Sequence, residues 1–241
     1  MLAHPLLQSP IEFKENRVPV LIVENGQLFR RLIGDLLAQE NGEPGEFALS
    51  ENAGLTEIGK NVQMTLNPLF PELDGRRIAT KIQQMAVTAA EDQPAKTAEC
   101  LAALNDYGAA LTAAIPFNVT FSEMESADDV VKALAFRVDT EEMSIPEQLL
   151  EMMRLHRECF RKRLFVFVNL KSFFSENEIT LFYQSVFYEK LSVLLLESGQ
   201  KEPVRPCEEV RIIDTMKANV DIFLKPSVVQ ESEQIRDNQR E

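Results

Sequence analysis

A short acidic segment in the middle of the chain, FSEMESADDVVKAL, carries side chains that could bind a hard cation. Glu125 stands three residues before Asp128 and four before Asp129, and Glu123 lies just upstream. A helix through this segment would bring the carboxylates close together on one face. Carboxylates so placed repel one another unless a cation such as Ca2+, which takes roughly six to eight oxygen ligands, binds between them. Calcium binding is therefore one interpretation of this segment.

The same residues have a second interpretation that needs no metal. Acidic side chains in the first turn of a helix are stabilised by the helix dipole, and Ser126 or Ser122 could serve as the N-cap. The glycine that an EF-hand loop requires is missing, so no EF-hand is predicted. The residues alone leave both interpretations open.

Residues 54–60 (GLTEIGK) are the nearest imitation of a phosphate-binding loop. Such a loop places Ser or Thr directly after its lysine, at the start of a helix. Here Asn61 follows Lys60, so a solvated turn is predicted in preference to a site of nucleotide hydrolysis.

A basic run precedes the most apolar part of the chain. Five cations fall within ten residues: Arg154, Arg157, Arg161, Lys162 and Arg163. Cations near the C-terminus of a helix stabilise its dipole, which explains the run without a function, whereas contact with an anionic partner is the competing explanation. His156 lies within the run and is predicted to be a packing residue. Because His4 is the only other histidine, acid–base catalysis at neutral pH has few candidates.

The residues after the basic run predict a β-α-β unit. LFVFVNL (164–170) and SVLLLE (192–197) are apolar without alternation, which is typical of strands buried on both faces of a parallel sheet. SENEITLFYQSVFY (175–188) between them has the pattern of a capped helix. The loop after the first strand of such a unit often cradles phosphate with glycines. Residues 169–174 contain no glycine, which indicates a nucleotide-binding architecture without its nucleotide-binding loop.

The N-terminal part of the chain supplies the other strands of an α/β sheet. Residues 11–15 (IEFKE) and 18–24 (VPVLIVE) predict two short strands in a hairpin-like arrangement. A helix is predicted from about Gly26, and it ends in a turn at 41–46 (NGEPGE). The remaining predicted elements are strands at 47–50 and 61–67 and a long helix from 74–90.

The composition changes between about residues 76 and 151, where alanine, leucine and glutamate dominate and no strand pattern occurs. This change predicts a helical insertion in a discontinuous α/β domain. The predicted head domain comprises residues 1–80 and 150–224, and the predicted leg comprises 81–149. Residues 225–241 are polar, lack aromatic residues and are predicted to be a disordered tail.

The totals restrict the class of protein. A net charge of -13 argues against non-specific attraction to nucleic acid or to an anionic membrane by the chain as a whole. Three widely spaced cysteines suggest neither a disulfide framework nor a zinc site. The first ten residues lack the basic start of a secretory signal, and the apolar runs are far shorter than the roughly 20 residues of a spanning helix. These features predict a soluble, cytoplasmic protein.

Several segments together resemble one known family. They are SPIEF, VLIVENGQLFRRLIGDLL, the helical middle, LHRECFRKRLFVFVNLKSFFSENEITLFYQSVF and SVLLLE. In this order they are similar to the spacer-acquisition accessory proteins of type II-A CRISPR systems, a Csn2-like family of ring tetramers that bind DNA ends. The similarity runs from about residue 9 to residue 224, and no short motif within it is diagnostic.

The resemblance implies both a fold and a function. The fold is a degenerate P-loop ATPase-like head that has lost its phosphate loop, with an inserted α-helical leg. The function is sequence-independent binding of linear double-stranded DNA through the hole of a homotetrameric ring, in which calcium holds the ring conformation. Such proteins act in CRISPR adaptation beside the integrase and the type II effector nuclease, and they are not known as enzymes.

Carried onto this chain, the resemblance assigns site residues. The hole-lining cations fall at Lys132 and at Arg137, where arginine replaces the lysine of the family. The calcium ligands would be acidic residues of the leg, namely Glu123, Glu125, Asp128 and Asp129, with Glu141 or Glu142 as further candidates.

Two alternatives to this function stay open from the sequence. One is a RecA-like nucleotide-binding ATPase with a degenerate loop at residues 54–60 or at Lys171. The other is a protein-only scaffold of the adaptation complex, which would dock an acidic partner on the basic run near Arg161.

Overall fold

The computed structural model describes residues 1–51, 54–201 and 205–213. The chain forms two compact units, one made of Met1–Leu69 with the described residues from Arg161 onward and the other of Phe70–Phe160. The first unit mixes strands and helices, and the second is helical. The predicted disordered tail, residues 225–241, lies outside the described residues.

The secondary structure elements follow one another in a mixed order. The strands are β1 (Leu2–Ala3), β2 (Val18–Val23), β3 (Ala48–Glu51), β4 (Gly54–Thr56), β5 (Val62–Thr65), β6 (Leu164–Val168), β7 (Ser192–Glu197) and β8 (Glu208–Ile213). The helices are α1 (Gly26–Glu40), α2 (Ile58–Asn61), α3 (Arg76–Glu91), α4 (Pro94–Ala114), α5 (Ala127–Leu134), α6 (Ile145–Phe160) and α7 (Glu176–Tyr188).

A five-stranded parallel sheet forms the centre of the first unit. Its strand order is β5-β6-β7-β2-β8, and every neighbouring pair in it is parallel. All residues of β2 and β6 are buried, as unbroken apolar runs predict for central strands of a parallel sheet. β6, α7 and β7 form the predicted β-α-β unit, so the α/β fold class is confirmed.

Helices α1 and α7 of this unit begin where the sequence predicts. Asn25 caps α1, because its side-chain oxygen accepts the backbone N–H groups of Gln27 and Leu28 at 3.0 Å. Ser175 and Glu178 form a capping box at the start of α7. Each capping contact satisfies backbone donors that the first helical turn leaves without a partner.

Two predictions at the N-terminal side of the sheet are wrong. Residues 11–15 do not form a strand, since only Ile11 makes a bridge, with Leu2, and β2 pairs with β7 and β8 instead. The alternating apolar and polar residues at 11–15 resemble a half-buried strand that could pair with β2 in a hairpin. β2 is instead buried on both faces, so its neighbours are parallel strands from distant parts of the chain. Residues 54–60 are not a solvated turn, because β4 pairs antiparallel with β3 and α2 follows it.

The second unit contains helices and no strand, and all of its residues are described. Its boundaries, after Leu69 and after Phe160, differ from the predicted ones, so α6 falls in the helical unit. One contact inside this unit illustrates why: the Arg77 guanidinium lies 4.9 Å from the centre of the Phe160 ring, and it joins the two ends of the unit. No helix in the described ranges is long and apolar enough to cross a membrane.

Lys162 of the basic run is part of the interior of the first unit. Its side chain is buried, and Nζ donates to the carbonyl oxygens of Gly59 at 2.7 Å and Val62 at 2.6 Å. Glu40 Oε1 lies 4.0 Å from the same ammonium, and Glu40 Oε2 accepts the Met64 N–H at 3.1 Å. Burial raises the pKa of Glu40, and the Lys162 charge opposes that rise. Lys162 therefore ties the end of α2 to the sheet.

Lys162→Met should destabilise the protein while keeping the aliphatic part of the side chain. The substitution removes two hydrogen bonds and leaves buried acceptors without them, so we expect the free energy of unfolding to fall by about 2–3 kcal/mol in urea titrations followed by circular dichroism. Lys60→Met on the exposed side of α2 is the matched control, with an expected change below about 0.5 kcal/mol. Equal stability of the two variants would contradict the structural role of Lys162.

Candidate functional site

The loop between β6 and α7 lies at the carboxyl edge of the sheet, where α/β proteins commonly bind ligands. Asn169 opens the loop with φ 53°, a left-handed conformation that asparagine tolerates better than most residues. Its backbone N–H donates to Leu196 O at 2.9 Å, and its Oδ1 accepts the Ser198 N–H at 2.8 Å. A 3-10 turn at Leu170–Ser172 follows. These contacts fix the conformation of the loop, and its residues 169–174 contain no glycine that could form a phosphate-binding turn.

Lys171 in this loop neutralises a buried carboxylate at the start of β8. Lys171 Nζ lies 2.9 Å from Glu208 Oε2, and the two side chains are 5% and 0% exposed. Tyr183 Oη on α7 donates to Glu208 Oε1 at 2.9 Å, and the Arg205 backbone N–H donates to Oε2 at 3.3 Å. Burial, with a smaller effect of the Glu208 charge, raises the pKa of Tyr183, which keeps this donor protonated. The ammonium of Lys171 is thus committed to the protein's own carboxylate.

Glu197, the last residue of β7, is a second buried carboxyl group beside the same loop. Its side chain accepts the Lys171 backbone N–H at Oε1, at 3.1 Å. Within the described residues, Oε2 is a buried atom with no hydrogen-bond partner. Burial raises the pKa of Glu197 to about 7, although the Lys171 N–H and the Lys171 charge oppose the rise. Glu197 therefore gains or loses a proton near neutral pH.

Residues 54–60 do not make a phosphate cradle in the structure. Gly54 lies in β4 and Gly59 lies inside the four-residue helix α2. A Cβ at Gly59 would stand 2.9 Å from the Glu40 carbonyl oxygen, so this glycine serves the close approach of α2 to α1. Lys60 Nζ pairs with Glu57 at 2.8 Å. The glycines and the lysine are thus explained by packing and by a surface ion pair.

The acidic segment of the second unit caps a helix. α5 begins at Ala127, so Glu123 and Glu125 precede the helix and do not share a helix face with the two aspartates. Ser126 and Asp129 form a capping box, in which Asp129 Oδ2 accepts the N–H groups of Glu125 at 3.1 Å and Ser126 at 3.0 Å. These hydrogen bonds, the Ser126 hydroxyl first, lower the pKa of Asp129.

Asp128 also has partners within the same unit. It forms an ion pair with Lys132 one turn later, and its Oδ1 accepts the Gln83 side-chain N–H at 2.8 Å. The hydrogen bond from Lys132 and then that from Gln83 lower the pKa of Asp128. The capping interpretation of the two aspartates therefore accounts for their positions. Glu141 and Glu142 lie in an exposed turn farther along the chain.

The described residues of the chain do not fit the implied calcium ion. In the ranges 1–51, 54–201 and 205–213, no group of three or more His, Cys, Asp or Glu side chains is arranged to hold a metal. Calcium needs more oxygen ligands than the separated pairs of this segment supply. The calcium ligand set implied by the resemblance stays a prediction.

The two cations assigned to DNA lie at and beyond the end of α5. Lys132 is in the last turn of the helix and 59% exposed, with Asp128 as its partner. Ala135 ends the helix in a left-handed conformation, with φ 52°, and exposed Arg137 follows. Arg137 makes no hydrogen bond or ion pair with any residue in the described part of the chain. Its guanidinium is available to an anion.

The basic run is divided between the two units. Arg154 and Arg157 lie on α6, and each pairs with a glutamate of that helix, at 3.3 and 3.0 Å. Lys162 is buried in the first unit, and Arg163 pairs with Glu51 there. Most of the run is thus engaged within the protein, which weakens the interpretation of a single docking patch.

His156 on α6 is a packing residue, as predicted. It is 7% exposed, and its ring centre lies 5.3 Å from that of Phe160.

The sequence interpretation missed the buried charges of the first unit. Glu197 and Glu208 belong to β7 and β8, and Tyr183 belongs to a helix that was predicted from its capping pattern. The one signal was a glutamate that closes the apolar run SVLLLE, since a charge at the end of a buried strand requires a partner. The charged neighbours of Glu197 are Lys171, Lys201 and Glu208, which lie in other segments that no local sequence pattern connects to it.

The fold and these contacts define a class: a mixed α/β protein with a parallel sheet. Its β6–α7 loop, at the edge of the sheet where such proteins commonly bind ligands, is held by contacts within the protein itself. The family profile described as CRISPR-associated protein (Cas_Csn2) matches residues 56–217. The chain belongs to this family of CRISPR-associated proteins.

The chain is also similar to one curated protein and, more weakly, to one solved structure. The CRISPR-associated protein Csn2 of Enterococcus faecalis is 23% identical over 211 residues, which span 80% of this chain and 87% of that protein. A putative ABC transporter ATP-binding protein from Pyrococcus furiosus is 8% identical, with a TM-score of 0.37 over 89% of this chain and 94% of that one. That structural similarity is too low to support a conclusion about fold or function. The family establishes a CRISPR-associated role.

Glu197→Gln should remove a pH dependence of stability. Between the pKa of about 4.3 in the unfolded chain and about 7 in the folded protein, only the folded state keeps the proton, so wild-type stability falls as pH rises through this window. Between pH 5 and 8 the fall is roughly 3 kcal/mol. In urea titrations from pH 5 to 8, the stability of the variant relative to wild type should therefore rise by up to about that amount. Glu43→Gln, at an exposed position, is the control, and a difference independent of pH for Glu197→Gln would contradict this account.

Two variants of the α5 cap separate capping from calcium binding. Ser126→Ala removes the cap without removing a carboxylate and should cost about 1 kcal/mol. Asp129→Ala should also lower the melting temperature, and both losses should be the same in chelator and in millimolar calcium. A calcium-dependent rise in melting temperature that Ser126→Ala keeps and Asp129→Ala loses would instead show that Asp129 binds the metal.

Proposed function

We propose that four copies of this chain form a ring that binds the ends of linear double-stranded DNA in its central hole, without sequence preference and without catalysis. The ring would act in the acquisition of new spacers by a cytoplasmic CRISPR system, with the integrase and the type II effector nuclease as protein partners. Membership of the Csn2 family is the observation that carries the proposal. In it, the α/β unit is the degenerate P-loop ATPase-like head and the helical unit is the leg.

The charge of the chain makes assembly a requirement of this proposal. A single subunit with net charge -13 repels DNA at long range. A ring can gather the same few cations from every subunit around one hole, where their potentials add, while the acidic surface faces outward. A closed ring also admits a duplex only at an end, which accounts for a preference for linear DNA.

Lys132 and Arg137 are the cations that this proposal places in the hole. Exposed Arg137 can pair with phosphate directly, and its planar fork suits phosphate oxygens. Lys132 must exchange its contact with Asp128 for one with phosphate. Because that ion pair is exposed, it is weak, so the exchange costs little.

Other chemistry has less support in the structure. Nucleotide binding at the β6–α7 loop would have to displace Glu208 from Lys171, and no observation favours this alternative. Calcium has no step in the proposed mechanism, because the described carboxylates of one subunit do not form a site for it.

Reversal of the two cations should strongly weaken DNA binding. Two cations from each of four subunits give 2 × 4 = 8 phosphate contacts at most, so log affinity should fall against log salt with a slope no steeper than about -7. Lys132→Glu/Arg137→Glu should weaken binding of linear duplex at least about tenfold and flatten this slope, as measured by fluorescence anisotropy.

The control for this experiment reverses the same amount of charge elsewhere. Arg30→Glu/Lys60→Glu alters exposed cations of the α/β unit and should leave the affinity within about threefold of wild type. Closed circular DNA should bind far more weakly than linear DNA of the same sequence. Equal capture of circles, or equal losses in the two variants, would refute the proposed mode of binding.

A further inference from the structure

A cleft of about 310 Å³ lies within the α/β unit and is lined by residues of both of its sheets. One part of the lining comes from the amino ends of three parallel strands, with Asn61 just before β5, Leu164 at the start of β6 and Ser192 at the start of β7. The other part comes from the antiparallel sheet β1-β3-β4, which contributes Leu49 and Thr56. The cleft therefore lies at the edge of the parallel sheet opposite to the β6–α7 loop.

Apolar side chains of the lining favour a flat ring as the ligand. Leu49 and Leu164 are buried, and Phe13 is half-buried. An aromatic side chain gains from stacking or edge contact with another ring. The volume is near the lower end of the range for small-molecule sites, roughly 300–1,000 Å³, so it suits a ligand of the size of a nucleoside and is too small for a dinucleotide.

Two polar side chains at the strand starts keep hydrogen-bonding capacity. Asn61 is held in place because its carbonyl oxygen accepts the Arg163 N–H at 2.8 Å and its Nδ2 donates to the Glu57 carbonyl oxygen at 2.8 Å. Asn61 Oδ1 and the Ser192 hydroxyl make no hydrogen bond within residues 1–51, 54–201 and 205–213. A ligand in the cleft would therefore meet an acceptor and a hydroxyl that neighbouring strands already position.

An ion pair that joins the two parts of the lining supplies a further donor and a further acceptor. Arg163 Nη1 donates to Glu51 Oε2, and the two side chains are 61% and 47% exposed. In the described part of the chain, the other guanidinium N–H groups and Glu51 Oε1 have no hydrogen-bond partner. The charges of the pair cancel, so a charged ligand would have to compete with one partner for the other, whereas a neutral ligand can bond to both.

We propose that this cleft binds a small, neutral, planar ring whose edge carries an N–H donor beside a carbonyl acceptor, as the uracil ring of uridine does. The N–H would donate to the acceptors of Asn61 and Glu51, and the carbonyl would accept from Arg163 and Ser192. An apolar molecule would leave these groups without water and without a partner, which costs free energy. Binding here goes beyond the proposed function and does not require assembly, because all of these side chains belong to one copy.

Uridine titration of the full chain, followed by saturation-transfer NMR, tests the cleft. We expect a dissociation constant below about 1 mM, a range open to a ligand of this size. The matched ligand is 3-methyluridine, in which a methyl group replaces the N–H between the two carbonyls, and its binding should be weaker at least about tenfold. Absence of saturable uridine binding up to about 10 mM, or equal binding of the two nucleosides, would overturn the inference.

Arg163→Met/Ser192→Ala tests where the nucleoside binds. This double variant removes the guanidinium and hydroxyl donors and should weaken uridine binding at least about tenfold. Arg30→Met/Ser198→Ala makes the same two changes at exposed positions outside the lining and should bind uridine within about twofold of wild type.

Ser192→Ala alone keeps the test valid if loss of the ion pair affects folding. This single variant preserves the Arg163–Glu51 contact and should weaken uridine binding at least about threefold, while circular dichroism checks that every variant is folded. Unchanged affinity in the folded cleft variants, or equal losses in the cleft variant and the control, would place the nucleoside elsewhere and refute the site.

DNA binding gives a separate measurement for the proposed function. Arg163→Met/Ser192→Ala should keep the affinity for linear duplex within about threefold of wild type, since the proposed DNA contacts are made by other cations. Absent uridine binding with intact DNA binding would remove the cleft site alone. Absent DNA binding with intact uridine binding would refute the proposed ring and support the cleft site.

Discussion

The ion pair between Lys171 and Glu208 joins the loop after β6 to the outermost strand of the sheet. Among the described residues, β8 has β2 as its only hydrogen-bonded neighbour in the five-stranded sheet, and Glu208 lies buried at its first position. A buried carboxylate is tolerated only with a cation and hydrogen bonds, which Lys171 and Tyr183 supply. Loss of one partner from such a pair typically costs about 3–5 kcal/mol. The stability of the edge strand and the conformation of the loop are therefore coupled.

Other charged residues of this acidic chain are also satisfied by partners within the protein. Lys162 is used to bind backbone carbonyls inside the α/β unit, and Asp129 is used to cap a helix in the other unit. Charges employed in this way are not available for a ligand. In the proposed ring, several copies would bring their remaining exposed cations together around one hole, which would link the binding of a polyanion to assembly.

The predictability of each element depended on how local its cause is. The unbroken apolar runs of β6 and β7, the start of α1 and the cap of α7 were recognisable because neighbouring residues determine them. The strand predicted at residues 11–15 was wrong because only buried Ile11 bridges Leu2, and the four residues after it are partly or fully exposed. The edge strand β8 escaped prediction because its polar residues, among them buried Glu208, hide the strand pattern.

The sequence by itself determined the α/β class, the helical middle region and the family, since each follows from patterns of adjacent residues. It also contained the acidic segment with Ser126 as a candidate cap, but the tertiary structure decided that Asp128 accepts a hydrogen bond from Gln83 of α3. Tertiary structure alone decided that Lys171 meets Glu208 and that Glu197 is buried beside them. The physical reason is distance along the chain: a buried charge is governed by the partners that folding brings to it, and those partners belong to segments that share no local pattern.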